Sequence, residues 1–173
     1  MLNDILKRTS CRKYLDKPIE VEKINKLKEI INSSPTALNL QDFSCIFVTD
    51  KQTRDKIAIY AGNQRHISEA PLFIAFYGDH NRLKDKAHWA VADAIIATTL
   101  VMIAAESLGL QTCLIGHIIY QEENMNKLLN VSGNTKLAIG ITIGYAQEKG
   151  RTPKKVNRCY DEIYNIDKVK QGL

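Results

Sequence analysis

Residues 89–110 read WAVADAIIATTLVMIAAESLGL, the most apolar stretch of the chain. Two readings compete: a membrane span, or the core helix of a globular domain. A span tolerates ionisable residues poorly, and this stretch carries Asp93 and Glu106. The core-helix reading fits better. It predicts a helix over 85–108, stopped at Gly109, a residue at ease in the backbone conformation that ends helices. Trp89 and the methionines are then expected in the core.

The segments on either side form layers around that helix. Val21, Ile24, Leu27, Ile30 and Ile31 recur at helical spacing within 18–34. FSCIFVTD (43–50) reads as a strand, and a polar helix follows over 51–60. LFIAFYGD (72–79) is a continuous apolar run, hence a strand buried on both faces. QTCLIGHI (111–118) reads as a short strand or strand-like turn, 121–131 as a helix, and TKLAIGITIGYA (135–146) as the last strand. This order predicts a layered α+β or α/β domain, a single one over 1–173. No G-x-G-x-x-G follows the first strand, and there is no Walker loop.

Composition excludes some classes. The net charge of +5 is spread along the chain without a long Lys/Arg block, so nucleic acid is not an expected partner. The four cysteines form no C-x-x-C pair and have no histidine at zinc-ligand spacing, which points to reduced thiols in a cytoplasmic protein. The start, MLNDILKRTS, is too polar for a signal peptide. His80, His88 and His117 are scattered and read as structural, so no metal site is expected.

Four polar loops carry the candidate chemistry. Arg8-Thr9-Ser10-Cys11-Arg12 offers two guanidinium forks and hydroxyls, a set suited to a phosphate monoester. A solvated helix end would look the same. Pro35-Thr36-Ala37-Leu38-Asn39-Leu40-Gln41 offers amides that can read a planar heterocycle, or is an ordinary loop. Asn63-Gln64-Arg65-His66 sets amides beside a cation just before a buried strand. Lys154, Lys155 and Arg158, after the last strand, can return to the same anion as Arg8 and Arg12, or form a solvated charge run. Cys11, between two arginines, is either a thiol of lowered pKa or a small packing residue.

Taken in order, these segments resemble the FMN-dependent nitroreductase / flavin reductase family, of which the chain would be a compact member. RTSCRKY resembles that family's R-x-S-x-R-x-[FY] opening, and SPTALNLQDF its S-P-S-x-x-N-x-Q-P-W loop. GNQRHISEAPLFIAF is similar to the Asn/Gln pair that precedes A-P and a buried strand. ADAIIATTLVMIAAESLGLQTCLIG resembles the central helix and its following turn, and LAIGITIGYA with TPKKVNRCYDEI the last strand and basic closing motif. Ala37 stands where a second serine is common, and Asp42-Phe43 replaces Pro-Trp.

The resemblance implies a three-layer α+β fold, with a mostly antiparallel sheet flanked by helices and a long buried central helix. It implies FMN as cofactor, NADH or NADPH as co-substrate, and a homodimer with FMN at the subunit interface. Arg8, Ser10 and Arg12, with Thr9 between them, would hold the phosphate and ribityl chain. Lys154, Lys155 or Arg158 would close on the phosphate. Asn63, Gln64 or His66 would meet the pyrimidine edge, and the backbone at Leu114, Ile115 and Gly116 would lie along the ring. Pro35, Thr36 and Asn39, with Gln41 of the same motif, would serve the flavin of the partner chain. Arg65 or a protonated His66 would supply positive potential to the reduced flavin. The implied activity is ping-pong reduction of nitroaromatics, quinones or related acceptors, with no catalytic side chain required. A flavin carrier or redox sensor without steady turnover is the alternative, and a basic interaction module without flavin is a third reading.

Overall fold

The computed structural model describes residues 5–6, 8–79, 87–131, 133–148, 150 and 159. Lys154, Lys155, Arg158 and His80 lie outside the described residues. In chain order the elements are α1 (Val21–Asn32), β1 (Phe43–Val48), α2 (Lys51–Tyr60), α3 (His66–Glu69), β2 (Leu72–Asp79), α4 (Ala87–Ser107), β3 (Gln111–Ile115), α5 (Glu122–Leu129) and β4 (Thr135–Gly144). Short 3₁₀ turns at Ala37–Asn39 and His117–Gln121 join them.

The strands form one sheet in the order β1-β2-β4-β3, with every pairing antiparallel. That settles α+β rather than α/β. Strand β2 is the axis, and each residue from Leu72 to Gly78 is buried. The two-residue alternation of a strand explains how. Leu72, Ile74 and Phe76 enter a core shared with Leu27 and Ile31 of α1 and the alanines of α4. Phe73, Ala75 and Tyr77 enter a second core, with Ile57 of α2, Ile118 and Met125 of α5. The sheet is thus the middle of three layers.

On α4, Ala90, Ala94, Ala97, Val101 and Ala105 are buried and recur every three or four residues. Small side chains let the helix lie close on the sheet. At Gly78 a Cβ would stand 2.7 Å from the Val91 nitrogen and 2.8 Å from the Ala90 carbonyl carbon, so only glycine fits under the helix there. The other face of α4 is apolar yet open, with Ile95 43% and Ile96 41% exposed. The expectation of a buried helix therefore holds for one face only. Trp89, expected in the core, is half-buried and lines an open slot instead.

Candidate functional site

The opening segment is laid along the end of the sheet. Ser10 bridges in parallel to Thr112 on β3, and the Cys11 amide donates to the Thr112 carbonyl at 2.9 Å. Farther along, Tyr14 bridges to Ala146, the Leu15 amide donates to the Tyr145 carbonyl at 2.8 Å, and Gln147 donates to Lys13 at 2.9 Å. The Tyr14 hydroxyl donates to the Cys11 carbonyl at 3.1 Å and also lies 2.8 Å from Thr142 Oγ1. Thr9 and Cys11 are buried, while Arg8 and Ser10 are half-buried and Arg12 is exposed. An extended chain turns alternate residues the same way, so the R-x-S-x-R spacing sets Arg8, Ser10 and Arg12 on one side.

Other groups converge there. Ser10, Arg8 and Arg12 lie close enough to the Cys113 thiol to act on it, although burial holds its pKa above the ordinary value. Arg12 also acts on His66, which is 8% exposed and has no partner for its Nε2. Burial first, and Arg12 second, hold the His66 pKa below the ordinary imidazole range. The Thr112 hydroxyl, also buried, has no partner. Gly150 closes the corner: a Cβ on it would come within 2.5 Å of Thr9 Oγ1 and 2.6 Å of the Ser10 carbonyl oxygen. Gly150, the residue before the undescribed segment 151–158, thus sits against Thr9 and Ser10.

Asn63 takes a left-handed backbone (φ 60°), and Gln64 Nε2 donates to the Ala61 carbonyl at 2.8 Å. Gly62, just before them, sits under His117, with its Cβ direction 3.7 Å from the imidazole. The 62–66 loop thus adjoins the turn after β3. Leu114 and Gly116 are exposed there, Ile115 is buried, and a Cβ at Gly116 would meet nothing within 4 Å.

The 35–41 loop is built elsewhere. The Asp93 carboxylate, 4% exposed on α4, accepts the Ala37 amide on both oxygens at 3.1 Å. Thr36 Oγ1 accepts the Gln41 amide at 3.0 Å. Leu38 (φ 53°), Asn39 (φ 55°) and Gln41 (φ 57°) are all left-handed, a costly state for leucine above all. The loop ends at Asp42, whose carbonyl accepts the Asp79 amide at 2.9 Å, at the far end of β2. The arginine corner lies at the near end, because Thr112 faces Ile143 and Ile143 faces Leu72. Strand rise separates the two ends by about 20 Å. Within one chain, Pro35, Thr36, Asn39 and Gln41 are not brought to Arg8, Ser10 and Arg12.

Of the two readings of Cys11 the packing residue holds, and one expectation, for Arg65, is corrected. Cys11 is wholly buried, and burial pushes its thiol up despite the neighbouring arginine, so it is a packing residue. Arg65 does not join the corner; its side chain is 89% exposed and pairs with Glu69 at 2.9 Å. It lines a cavity of about 610 Å³ with Tyr14, Lys17, Arg54 and Pro71, and no residue of the corner is among those that border that space.

Sequence reasoning missed two residues. Asp93 served only to argue against a membrane span, although a carboxylate alone in an apolar helix is the signal of a buried acceptor. Arg54, 7% exposed, donates to the carbonyls of Ser68 at 2.8 Å, Ala70, and Thr49 at 3.5 Å. On a polar helix nothing marked it apart from its neighbours.

The Nitroreductase family profile matches residues 5–64 and 58–145. The chain belongs to the nitroreductase family. It is similar to an FMN reductase [NAD(P)H] of Bacillus subtilis, 28% identical over 97% of this chain and 78% of that one. Among solved structures it is similar to the hypothetical oxidoreductase YcnD of Bacillus subtilis, with TM-score 0.89 and 28% identity over 98% of this chain and 77% of that one. NfrA2 of B. megaterium superposes with TM-score 0.88 and 28% identity, over 96% and 75% of the two chains.

Proposed function

We propose that this protein is an FMN-dependent NAD(P)H oxidoreductase that reduces nitroaromatics, quinones or similar acceptors as a homodimer. The observation that carries this reading is the arginine corner, where Arg8, Ser10, Arg12 and His66 meet the start of the closing basic segment at Gly150. The fit to FMN rests on unpartnered atoms. His66 Nε2 and Thr112 Oγ1 are buried without a hydrogen bond, and such atoms are costly unless a ligand satisfies them.

Arg8 and Arg12 would bind the phosphate dianion by charge-assisted forks, with Ser10 adding a hydroxyl. Lys154, Lys155 or Arg158 would close on the same phosphate. Asn63, Gln64 and His66 would hold the pyrimidine edge, and Leu114 to Gly116 would present open backbone to the ring. FMN held by these residues would supply the redox chemistry, hydride acceptance from a nicotinamide and ping-pong electron delivery to the acceptor. His66, held neutral by burial and Arg12, serves as a hydrogen-bonding partner rather than a cation.

The homodimer reading has its own support. The exposed Ile95 and Ile96 of α4, with Leu114, Ile119 and Tyr120, offer apolar surface for a second copy. The separation between the arginine corner and the 35–41 loop is resolved if Pro35, Thr36, Asn39 and Gln41 serve the flavin of the second copy.

The test is an absorption spectrum before and after FMN addition and removal of excess. Retained flavin bands, bleached anaerobically by NADH or NADPH and restored by a quinone, are the expected result. Retained flavin that neither nucleotide reduces would replace the enzyme with a carrier or sensor. A colourless protein would overturn the flavin reading.

A further inference from the structure

Cys11 stands between Ser10 and Arg12, and its backbone is held on both sides. Its amide, in the peptide plane shared with Ser10, donates to the Thr112 carbonyl at 2.9 Å. Its carbonyl, in the plane shared with Arg12, accepts the Tyr14 hydroxyl at 3.1 Å. Only φ and ψ of Cys11 lie between those two planes, so fixing both planes fixes the turn from Ser10 to Arg12. The first bond uses backbone that any residue supplies. The second needs the hydroxyl of Tyr14.

That hydroxyl is anchored in turn. It lies 2.8 Å from Oγ1 of Thr142, a fully buried residue of β4, which is flanked in the sheet by β2 and β3. With the tyrosine proton on the Cys11 carbonyl, Thr142 donates to the tyrosine oxygen, and a relay runs from the sheet to the opening segment. The ring has a built seat: a Cβ at Gly144 would stand 2.9 Å from Tyr14 Cδ1, so glycine leaves the room it needs. Burial pushes the phenol far above its ordinary range, so the proton stays in place as a donor.

We infer that Tyr14, backed by Thr142, is a positioning residue for the phosphate end of the flavin: its hydroxyl fixes the turn that aims Ser10 and Arg12, and so sets how strongly the site prefers FMN to riboflavin. The inference rests on the proposed function, which gives Arg8, Ser10 and Arg12 to the phosphate. Riboflavin has the same ring and ribityl chain without the phosphate, so FMN draws far more on the aim of these side chains. A charge-assisted bond depends on donor direction, and a guanidinium swung out of line loses its fork. A segment already held in its binding posture also spares the entropy of ordering it.

The full-length protein and its Tyr14→Phe, Thr142→Val and double variants are titrated with FMN and with riboflavin by flavin fluorescence, at one protein concentration and well below each melting temperature. Tyr14→Phe keeps the ring in its seat and is expected to raise the FMN Kd about tenfold and the riboflavin Kd by no more than about twofold. Thr142→Val shifts FMN the same way by a smaller factor. The double variant is no weaker than Tyr14→Phe alone, because both hydroxyls act through one chain of bonds.

Equal losses for the two flavins would make Tyr14 a packing residue, and an unmoved FMN Kd would leave its hydroxyl without a role; either overturns the inference. Additive losses in the double variant overturn the relay through Thr142. In each of these cases a parent protein that retains FMN and is reduced by nucleotide keeps the proposed function. A parent that binds neither flavin overturns both.

Discussion

The Asp93 carboxylate and the Ala37 amide, 56 residues apart in sequence, meet at 3.1 Å on both oxygens. This contact joins the central helix to a loop in which three residues sit left-handed. Asp93→Ala leaves the amide without its acceptor and frees the loop, and is expected to cost about 2 kcal/mol in urea unfolding. Asp93→Asn keeps one oxygen and costs less. An unchanged midpoint for the alanine variant would show that the contact carries no stability.

Glycine substitutions separate packing from ligand contact. Gly78→Ala drives a Cβ into the backbone of α4, which cannot turn aside, and should cost about 3 kcal/mol. Gly116→Ala meets open space, so its melting temperature stays near that of the parent. Its FMN affinity falls if the ring lies along that backbone. Calorimetry and flavin fluorescence titration read the two effects apart.

Arg54 ties α2 to the carbonyls of Ser68, Ala70 and Thr49. Arg54→Leu strands these acceptors and is expected to lose at least about 2 kcal/mol. Arg54→Lys restores little, because a compact ammonium lacks the fork that spans several carbonyls. Equal stability of the lysine variant and the parent would sink this account.

Glu20 accepts a hydrogen bond from the Tyr145 hydroxyl, which with nearby Lys17 lowers its pKa from 4.5 to about 2. A depressed carboxyl pKa stabilises the fold above the unfolded value and loses that contribution as pH falls through the folded one. The loss should therefore appear between about pH 4.5 and about pH 2, and Glu20→Gln should flatten it. Parallel Tm-against-pH curves for the two proteins would contradict the linkage.

His66 has the same sign at a higher pH. Its folded pKa lies below 6.5, so the fold loses stability as pH drops beneath that value and the unfolded chain takes the proton. His66→Gln should reduce this acid loss. Because the imidazole is neutral near pH 7, the same substitution should leave the pH slope of the bound flavin's midpoint potential unchanged between pH 7 and 8. A changed slope, read by spectroelectrochemistry, would restore a protonated histidine.

Much of the fold was legible in the sequence, for physical reasons. The unbroken run 72–79 can only be a strand covered on both faces, and β2 is. Ala90, Ala94, Ala97, Val101 and Ala105, every third or fourth residue, give the helix its sheet-facing side. The R-x-S-x-R spacing sets three polar side chains on one side of an extended chain, wherever that chain is laid. Periodicity and spacing are local properties, and a linear sequence carries them in full.

What the tertiary structure decided depends on distance. Sequence could not show that Thr112 receives the opening segment, that Gly150 returns to Thr9, or that the 35–41 loop lies at the other end of β2. Nor could it give the titration behaviour of Cys11 and His66. Two adjacent cations argue for a reactive thiol in sequence, but burial outweighs them once Cys11 has no contact with water. Desolvation and long-range pairing arise only when distant segments close on one another.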